Sequence, residues 1–419
     1  MTLPFLTSAP GKVIIFGEHS AVYNEPAVAA SVSALRTYLL VTPKDSDNIE
    51  LDFPDIGFNH KWSPNEFDYI LKDEKNSMIL REAQNNTREL SKELTSLLDK
   101  LHIGLKNSMF YSAAFCFTYL YLCLCPGAKG IRFSVRSTLP IGAGLGSSAS
   151  ISVNLAMAMA QLGGVIQIRR ELSFADKKVI NDWSFIGEKC MHGTPSGIDN
   201  AVATYGNAVL FKREIDGTTN FEFVEDFPQI PMILTYTKIP RSTKTLVSNV
   251  RDLLLKHPNI VRPILVSMGQ LATRGAEILD SLDEKNYNEL LELVRLNHGL
   301  LVSLGVSHPG LEVIRSLSDS MALGSTKLTG AGGGGCALTI LDKNAAESSV
   351  IEFKSKLEKV YDYSTFQTDL GGIGCCLLPS EFIVGDKVEQ ILSLFNEQGD
   401  KAEIDSLLLP GQGGLPWIF

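Results

Sequence analysis

Four short stretches of this chain combine residue types that can act on a phosphate. The first is Pro140-Ile141-Gly142-Ala143-Gly144-Leu145-Gly146-Ser147-Ser148-Ala149, between a strand-like run and a helical run. Its glycines let the backbone approach a ligand, and the helix start that follows offers unpaired N–H groups and a positive dipole end. That combination is a phosphate cradle. It is not a Walker A loop, because no lysine follows the glycines, and it fails the dinucleotide fingerprint, because Ser147 holds the third glycine position. The hydroxyls of Ser147 and Ser148 can reach a Mg²⁺ or a phosphate oxygen. Without them the segment reads as a glycine-rich turn with a serine cap.

The second stretch runs over 187–200. Glu188 stands near a helix end, a Gly/Pro loop follows at 193–197, and Asp199 opens the next helix. Two carboxylates so arranged can meet in one cleft, one holding Mg²⁺ and the other accepting a proton. A plainer reading is also open: Ser196 and Asp199 have the Ser-x-x-Asp spacing of a helix cap, and Glu188 is a solvated end charge. His192 reads as an orienting residue rather than a ligand. The third stretch is Lys327-Leu328-Thr329-Gly330-Ala331-Gly332-Gly333-Gly334-Gly335-Cys336. It matches Gly-x-Gly-x-x-Gly formally, but a strand follows it, so the dinucleotide reading fails on context. Five glycines between 330 and 335 are costly to order, which points to a close backbone approach rather than a flexible tether. In the fourth, Ala9-Pro10-Gly11-Lys12 sets a lysine at the mouth of a strand-like run, with Glu18 and His19 beyond its far end. Lys12 alone is a solvated strand-end charge. Arg241-Ser242-Thr243-Lys244 adds cations and hydroxyls at a helix start, which suits anion binding or capping.

The elements that must hold these residues can be read from periodicity. Apolar or alternating runs predict strands at 12–16, 27–41, 131–138, 232–239 and 337–342, with others around 366 and 375–378. Helical spacing predicts helices at 148–162, 246–256, 263–282, 289–304, 311–321 and 346–360. A further helix starts at Ser173, capped with Asp176, and stops near Gly193. The polar segment 52–100 reads as a peripheral insertion, helical in its last part. A chain of 419 residues suits two domains, with a boundary near Phe227-Pro228. With 38 Lys+Arg against 47 Asp+Glu, the net charge of −9 excludes whole-molecule attraction to nucleic acid or an anionic membrane. The seven cysteines lie mostly in apolar runs, and neither Cys123-Leu124-Cys125 nor Cys375-Cys376 has zinc-knuckle spacing. They read as small buried hydrophobes in a reducing compartment. No basic n-region precedes Pro4 and Pro10, and the apolar run 111–125 falls short of the roughly 20 residues of a membrane span. A soluble, cytoplasmic protein is expected.

Together, Pro10-Gly11-Lys12, the 140–149 segment and the 327–336 segment resemble the three motifs of the GHMP small-molecule kinases. In finer detail, 12–23, 188–200 and 239–244 are similar to the eukaryotic members acting on mevalonate. The vicinal cysteines after Asp369-Leu370-Gly371-Gly372 and the C-terminal tail with Leu409-Pro410-Gly411 and Leu415-Pro416-Trp417 are similar to the fungal ones. The likeness runs from Pro4 to about Leu378, apart from 52–100. It implies an α+β fold: an N-terminal ribosomal-protein-like α/β domain (1–227) and a C-terminal ferredoxin-like domain (228–419), with a tail that packs back on the first. It implies transfer of the γ-phosphoryl of ATP to the 5-hydroxyl of (R)-mevalonate, with Mg²⁺ as cofactor.

By the same resemblance Asp199 is the catalytic base, and Lys12 contacts it and the reacting hydroxyl. Glu188 and either Ser147 or Ser148 bind Mg²⁺. Pro140, Gly142, Ala143, Gly144, Leu145, Gly146, Ser147 and Ser148 hold ATP. Glu18, His19, Thr243, Gly332 and Gly333, with Lys12 and Asp199, contact the alcohol, the 330–335 loop closing over it. A homodimer and inhibition by prenyl diphosphates are implied too, with no nucleic-acid or membrane partner. Two alternatives are a member acting on galactose, homoserine or phosphomevalonate, and a catalytically silent sensor. A galactokinase would carry Arg-x-Asn-Leu-Ile before the Gly-Glu-His that this chain has at 17–19, where Pro10-Gly11-Lys12-Val13-Ile14-Ile15-Phe16 stands instead. A silent relative would lose Lys12, Glu188, Asp199 or the serine pair, and all are present.

Overall fold

The computed structural model describes residues 2–106, 108, 110–213, 219–224, 227–396, 399–412 and 414–419. Its strands are β1 (Phe5–Phe16), β2 (Ala27–Pro43), β3 (Ile49–Phe53), β4 (Phe58–Trp62), β5 (Ile131–Ser137), β6 (Ala208–Arg213), β7 (Thr219–Val224), β8 (Ile230–Tyr236), β9 (Gly324–Thr329), β10 (Cys336–Leu341), β11 (Ser364–Leu370) and β12 (Cys376–Leu378). They join in one sheet with the path β4-β3-β5-β2-β11-β8-β10-β9, while β1 pairs with β2 and β12, and β6 with β2 and β7. β2 is the common member. Its Val, Leu, Thr and Tyr content suits a long pleated strand, and it is buried along nearly its whole length. Every pairing is antiparallel except β3 with β5.

β1 carries the Ala9-Pro10-Gly11-Lys12 stretch. Its register against β2 shifts between Pro10 and Gly11, where proline supplies no N–H to the ladder. Beyond the shift, the N–H of Lys12 donates 2.8 Å to the carbonyl of Leu145, which ties the strand to the glycine-rich loop. Behind that loop the helix Ser147–Leu162 is buried on almost all sides. Its Ala and Ser content lets it pack closely against β1, β2 and the helices Tyr111–Leu124 and Phe174–His192. In the second half, the helices Tyr287–Ser303 and Pro309–Ser320 pack on β9, and the helix Pro258–Asp280 packs on β1 and β2.

Residues 52–100 depart from the expected peripheral insertion. β3 and β4 extend the main sheet, and Trp62, Phe67, Leu80, Leu94 and Leu98 are core residues. The surrounding polarity, here a solvated outer face, hid a short hairpin at the sheet edge. The hairpin β6–β7 and strand β9 were also not read as strands. The 227–228 position falls between β7 and β8. At the C-terminus the helices Asp386–Leu394 and Lys401–Leu408 pack on Leu6, Tyr38 and Leu40 of β1 and β2. The buried Arg136 of β5 donates to the carbonyls of Leu394, Asn396 and Gly399 and pairs with Asp55 at 3.1 Å, fastening that tail. Among the described residues no helix is long and apolar enough to cross a membrane.

Candidate active site

A cleft of about 660 Å³ opens where β1, the 140–148 loop, the start of the helix Ile198–Tyr205 and the loops of the second half converge. At its floor Lys12 Nζ lies 3.1 Å from Asp199 Oδ1. Lys12 is only 7% exposed, so it is not the solvated strand-end charge that the sequence left open. Asp199 does not cap its helix. Gly197 holds the N-cap position in the left-handed region, and the Asp199 carboxylate in the first turn faces Lys12, where the helix dipole favours its negative charge. Gly146 makes the approach possible: its φ is +72°, and a Cβ there would stand 3.1 Å from Lys12 Cγ and 3.6 Å from Asp199 Oδ2.

Glu188 enters from the last turns of the helix Phe174–His192 and is 4% exposed, not solvated. Burial first, then the Asp199 charge, push its carboxyl up to about 7, against the Ser148 hydroxyl and Lys12, which pull it down. Its Oε1 is buried without a hydrogen-bond partner. Ser148 also meets His192, whose Nε2 is 3.0 Å from its hydroxyl. Of the serine pair, Ser148 therefore sits with the acid.

His19 follows β1 with φ 61° and ψ −44°, outside the relaxed regions for a residue with a side chain. Its Nε2 is 2.9 Å from the carbonyl of Ala331. A carbonyl only accepts, so Nε2 carries the proton and Nδ1 remains an acceptor. Burial holds this imidazole below its usual pKa. Glu18 is turned inward: its carboxylate pairs with the Lys327 ammonium and accepts from Asn297 Nδ2 at 2.9 Å.

Residues 110–207 match the GHMP kinases N terminal domain, and residues 278–358 the GHMP kinases C terminal. The chain is 59% identical to the mevalonate kinase of Saccharomyces cerevisiae, with all of both chains covered. It belongs to the mevalonate kinase family. The human mevalonate kinase is 33% identical over 92% of this chain and 98% of its own. The crystal structure of L. major mevalonate kinase in complex with R-mevalonate is 20% identical, with a TM-score of 0.64. It covers 89% of this chain and 97% of its own, and shares the α+β GHMP kinase fold.

In GHMP kinase terms, the structure brings most of the expected residues to one place. Pro140, Gly142, Gly144, Leu145, Gly146, Ser147, Ser148, Glu188, Asp199, Thr243, His19 and Glu18 line the cleft with Lys12. Three expected residues do not. Ala143 is buried; its N–H donates 3.4 Å to the Pro140 carbonyl and its carbonyl accepts from Arg241. Gly332 and Gly333 pack away from the cleft, where a Cβ would stand 2.0 Å from the Val306 carbonyl and 2.9 Å from Leu246 respectively. Gly330 and Ala331 face the cleft instead. The loop's glycines thus answer close approach by its own chain.

Arg241 is the main residue that the sequence reading left unassigned. Its Nη2 donates 3.0 Å to the Ala143 carbonyl and its Nη1 3.3 Å to that of Thr329, bridging the 140–148 loop and the start of the 330–335 loop. A Cβ on Gly144 would lie 1.9 Å from that guanidinium. The one sequence signal was a cation beside Thr243 at a helix start.

Proposed function

We propose that this chain transfers the γ-phosphoryl group of ATP to the 5-hydroxyl of (R)-mevalonate, with Asp199 as base and Lys12 as its charge partner. The observation that carries the reading is the 3.1 Å Lys12–Asp199 pair at the floor of a cleft walled by the phosphate loop. The name of a relative 59% identical along its full length supports the choice of alcohol. As the hydroxyl oxygen bonds to the γ-phosphorus, the P–O bond to ADP breaks and Asp199 accepts the hydroxyl proton. Lys12, 3.1 Å from the Asp199 carboxylate, stabilises charge developing on the attacking oxygen. The helix start at Ser147 and the glycine N–H groups receive phosphate oxygens. His19 Nδ1 and the Thr243 hydroxyl are polar partners for the alcohol.

Mg²⁺ fits the donors present. Among the described residues no cluster of three His, Cys, Asp or Glu is found. Mg²⁺ in phosphoryl-transfer sites needs only one or two protein oxygens beside the phosphates, and Glu188 Oε1 is a buried oxygen lacking a partner. Glu188 and Ser148 would hold it, and when bound it would neutralise charge on the β- and γ-phosphates. Cytoplasmic location, a homodimer and prenyl diphosphates competing with ATP belong to the same reading. Light scattering and competition kinetics test the last two.

The deciding experiment is a coupled ADP-release assay with mevalonate, galactose, homoserine and phosphomevalonate, on wild type and Asp199→Asn. Absence of mevalonate turnover by wild type would overturn the reaction. Full activity in the variant would overturn only the base.

A further inference from the structure

Lys327 is a fully buried lysine that the chemistry above does not use. It lies on β9, and its ammonium makes two contacts, both with the segment of β1 and its following loop that carries Lys12 and His19. One is the ion pair with Glu18; the other is a 3.3 Å hydrogen bond to the Ile14 carbonyl. Thr329, two residues on and so on the same face of β9, adds to the grip. Its hydroxyl lies 3.1 Å from the Ile14 nitrogen and 3.0 Å from the Ile14 oxygen. Lys12 stands two residues before Ile14 on the same face of β1, and both line the cleft.

His19 needs such a hold. Its φ of 61° is unfavourable for a residue bearing a Cβ, and a strained backbone persists only where its surroundings over-determine it. Gly17 before it, at φ +92°, presses on Ala27 and Pro26 and has no room for a side chain. Glu18, between them, is pinned by Lys327 and Asn297. Lys327 itself is kept in place by its neighbour. The Leu328 N–H donates 3.3 Å to His298 Nδ1, which leaves the proton on Nε2 to meet Glu312 at 3.1 Å.

We propose that Lys327 is a positioning residue for alcohol binding. Through Glu18 and Ile14 it sets the placement of His19 and Lys12 from the opposite half of the molecule, with Asn297 as its auxiliary. The inference rests on the reading that the cleft phosphorylates an alcohol held near His19. Removing the cation should therefore loosen the alcohol end of the cleft and leave the nucleotide end, built on 140–148, intact.

The test is steady-state kinetics on Lys327→Met and on the double variant Glu18→Gln/Lys327→Met, with melting temperatures. The double variant removes both charges, so no uncompensated buried carboxylate remains to unfold it. The expected result is a KM for mevalonate raised about 10-fold in both variants, with the KM for ATP changed by less than about twofold. A double variant with wild-type melting temperature and wild-type KM for mevalonate overturns the proposal. Should neither variant fold, Asn297→Ala decides by the same criterion, with an expected rise of about threefold. A wild type that ignores mevalonate but phosphorylates another alcohol overturns the substrate reading alone, and the positioning test is then run with that alcohol.

Discussion

Replacing Glu188 by Gln should stabilise the metal-free protein at alkaline pH while weakening its use of Mg²⁺. The Glu188 carboxyl rises from the ordinary 4.5 to about 7, because burial and Asp199 both oppose its charge. A folded-state value above the unfolded one means that the folded state holds the proton more tightly. The protonated acid therefore carries no penalty below about pH 4.5; the penalty grows as pH rises and is complete above about 7. That rise corresponds to about 3 kcal/mol, with little solvent to screen it at 4% exposure. Glutamine carries no charge at any of these pH values. Denaturant unfolding in EDTA at pH 5, 6, 7 and 8 should show the variant gaining on wild type by about 3 kcal/mol across the series, whatever constant offset the amide introduces. With Mg²⁺ and ATP present the order should reverse, because ligand that binds the wild-type folded state more tightly stabilises it more. The variant should need roughly 10-fold more Mg²⁺ for half-maximal activity. A stability difference that stays flat from pH 5 to 8 would refute the burial argument, and an unchanged Mg²⁺ titration would remove Glu188 from the metal site.

Asp199→Asn should keep both KM values near wild type and lower kcat by at least about 10²-fold, read in the ADP-release assay. Gly144→Ala places a methyl on the Arg241 guanidinium at a backbone φ of +80°. Arg241 must leave the Ala143 carbonyl, and isothermal titration should show ATP affinity falling about 10-fold or more. Arg136→Met leaves Asp55 buried without its arginine and strips donors from the carbonyls of Leu394, Asn396 and Gly399. Denaturant unfolding should show a loss of about 3–5 kcal/mol, and limited proteolysis should cut first in the tail after Leu378.

Much of the fold was legible because its elements are long and periodic. The helix Phe174–His192 begins on the capping box that Ser173 and Asp176 announce, and β2 reads as a strand from its β-branched run. The hairpins β3–β4 and β6–β7 and the edge strand β9 were not legible. They are short and mix polar with apolar residues, so pairing with a neighbouring strand defines them rather than a run of β-formers. The 140–148 loop was legible for the opposite reason: the task proposed for it lies in the backbone, and glycines at 142, 144 and 146 ahead of a helix mark it directly.

Thirteen of the 35 glycines cluster in four short segments, 142–146, 193–197, 330–335 and 371–374, so the residues alone told where the chain must bend or approach something closely. They did not tell what is approached. At 330–335 the answer is Arg241, Ile239, Val306 and Leu246 of the same chain, and only Gly330 and Ala331 turn to the cleft. By itself the sequence determined the chemistry available: a cradle for phosphates, two carboxylates, a lysine and a serine pair. The tertiary structure alone decided which groups meet. A charge-to-charge contact depends on distance and burial, and neither can be read from spacing along the chain. Lys12 and Asp199 touch across 187 positions of sequence, and Glu18 and Lys327 across 309. Glu188 became a poised acid because folding removed its water and set Asp199 beside it.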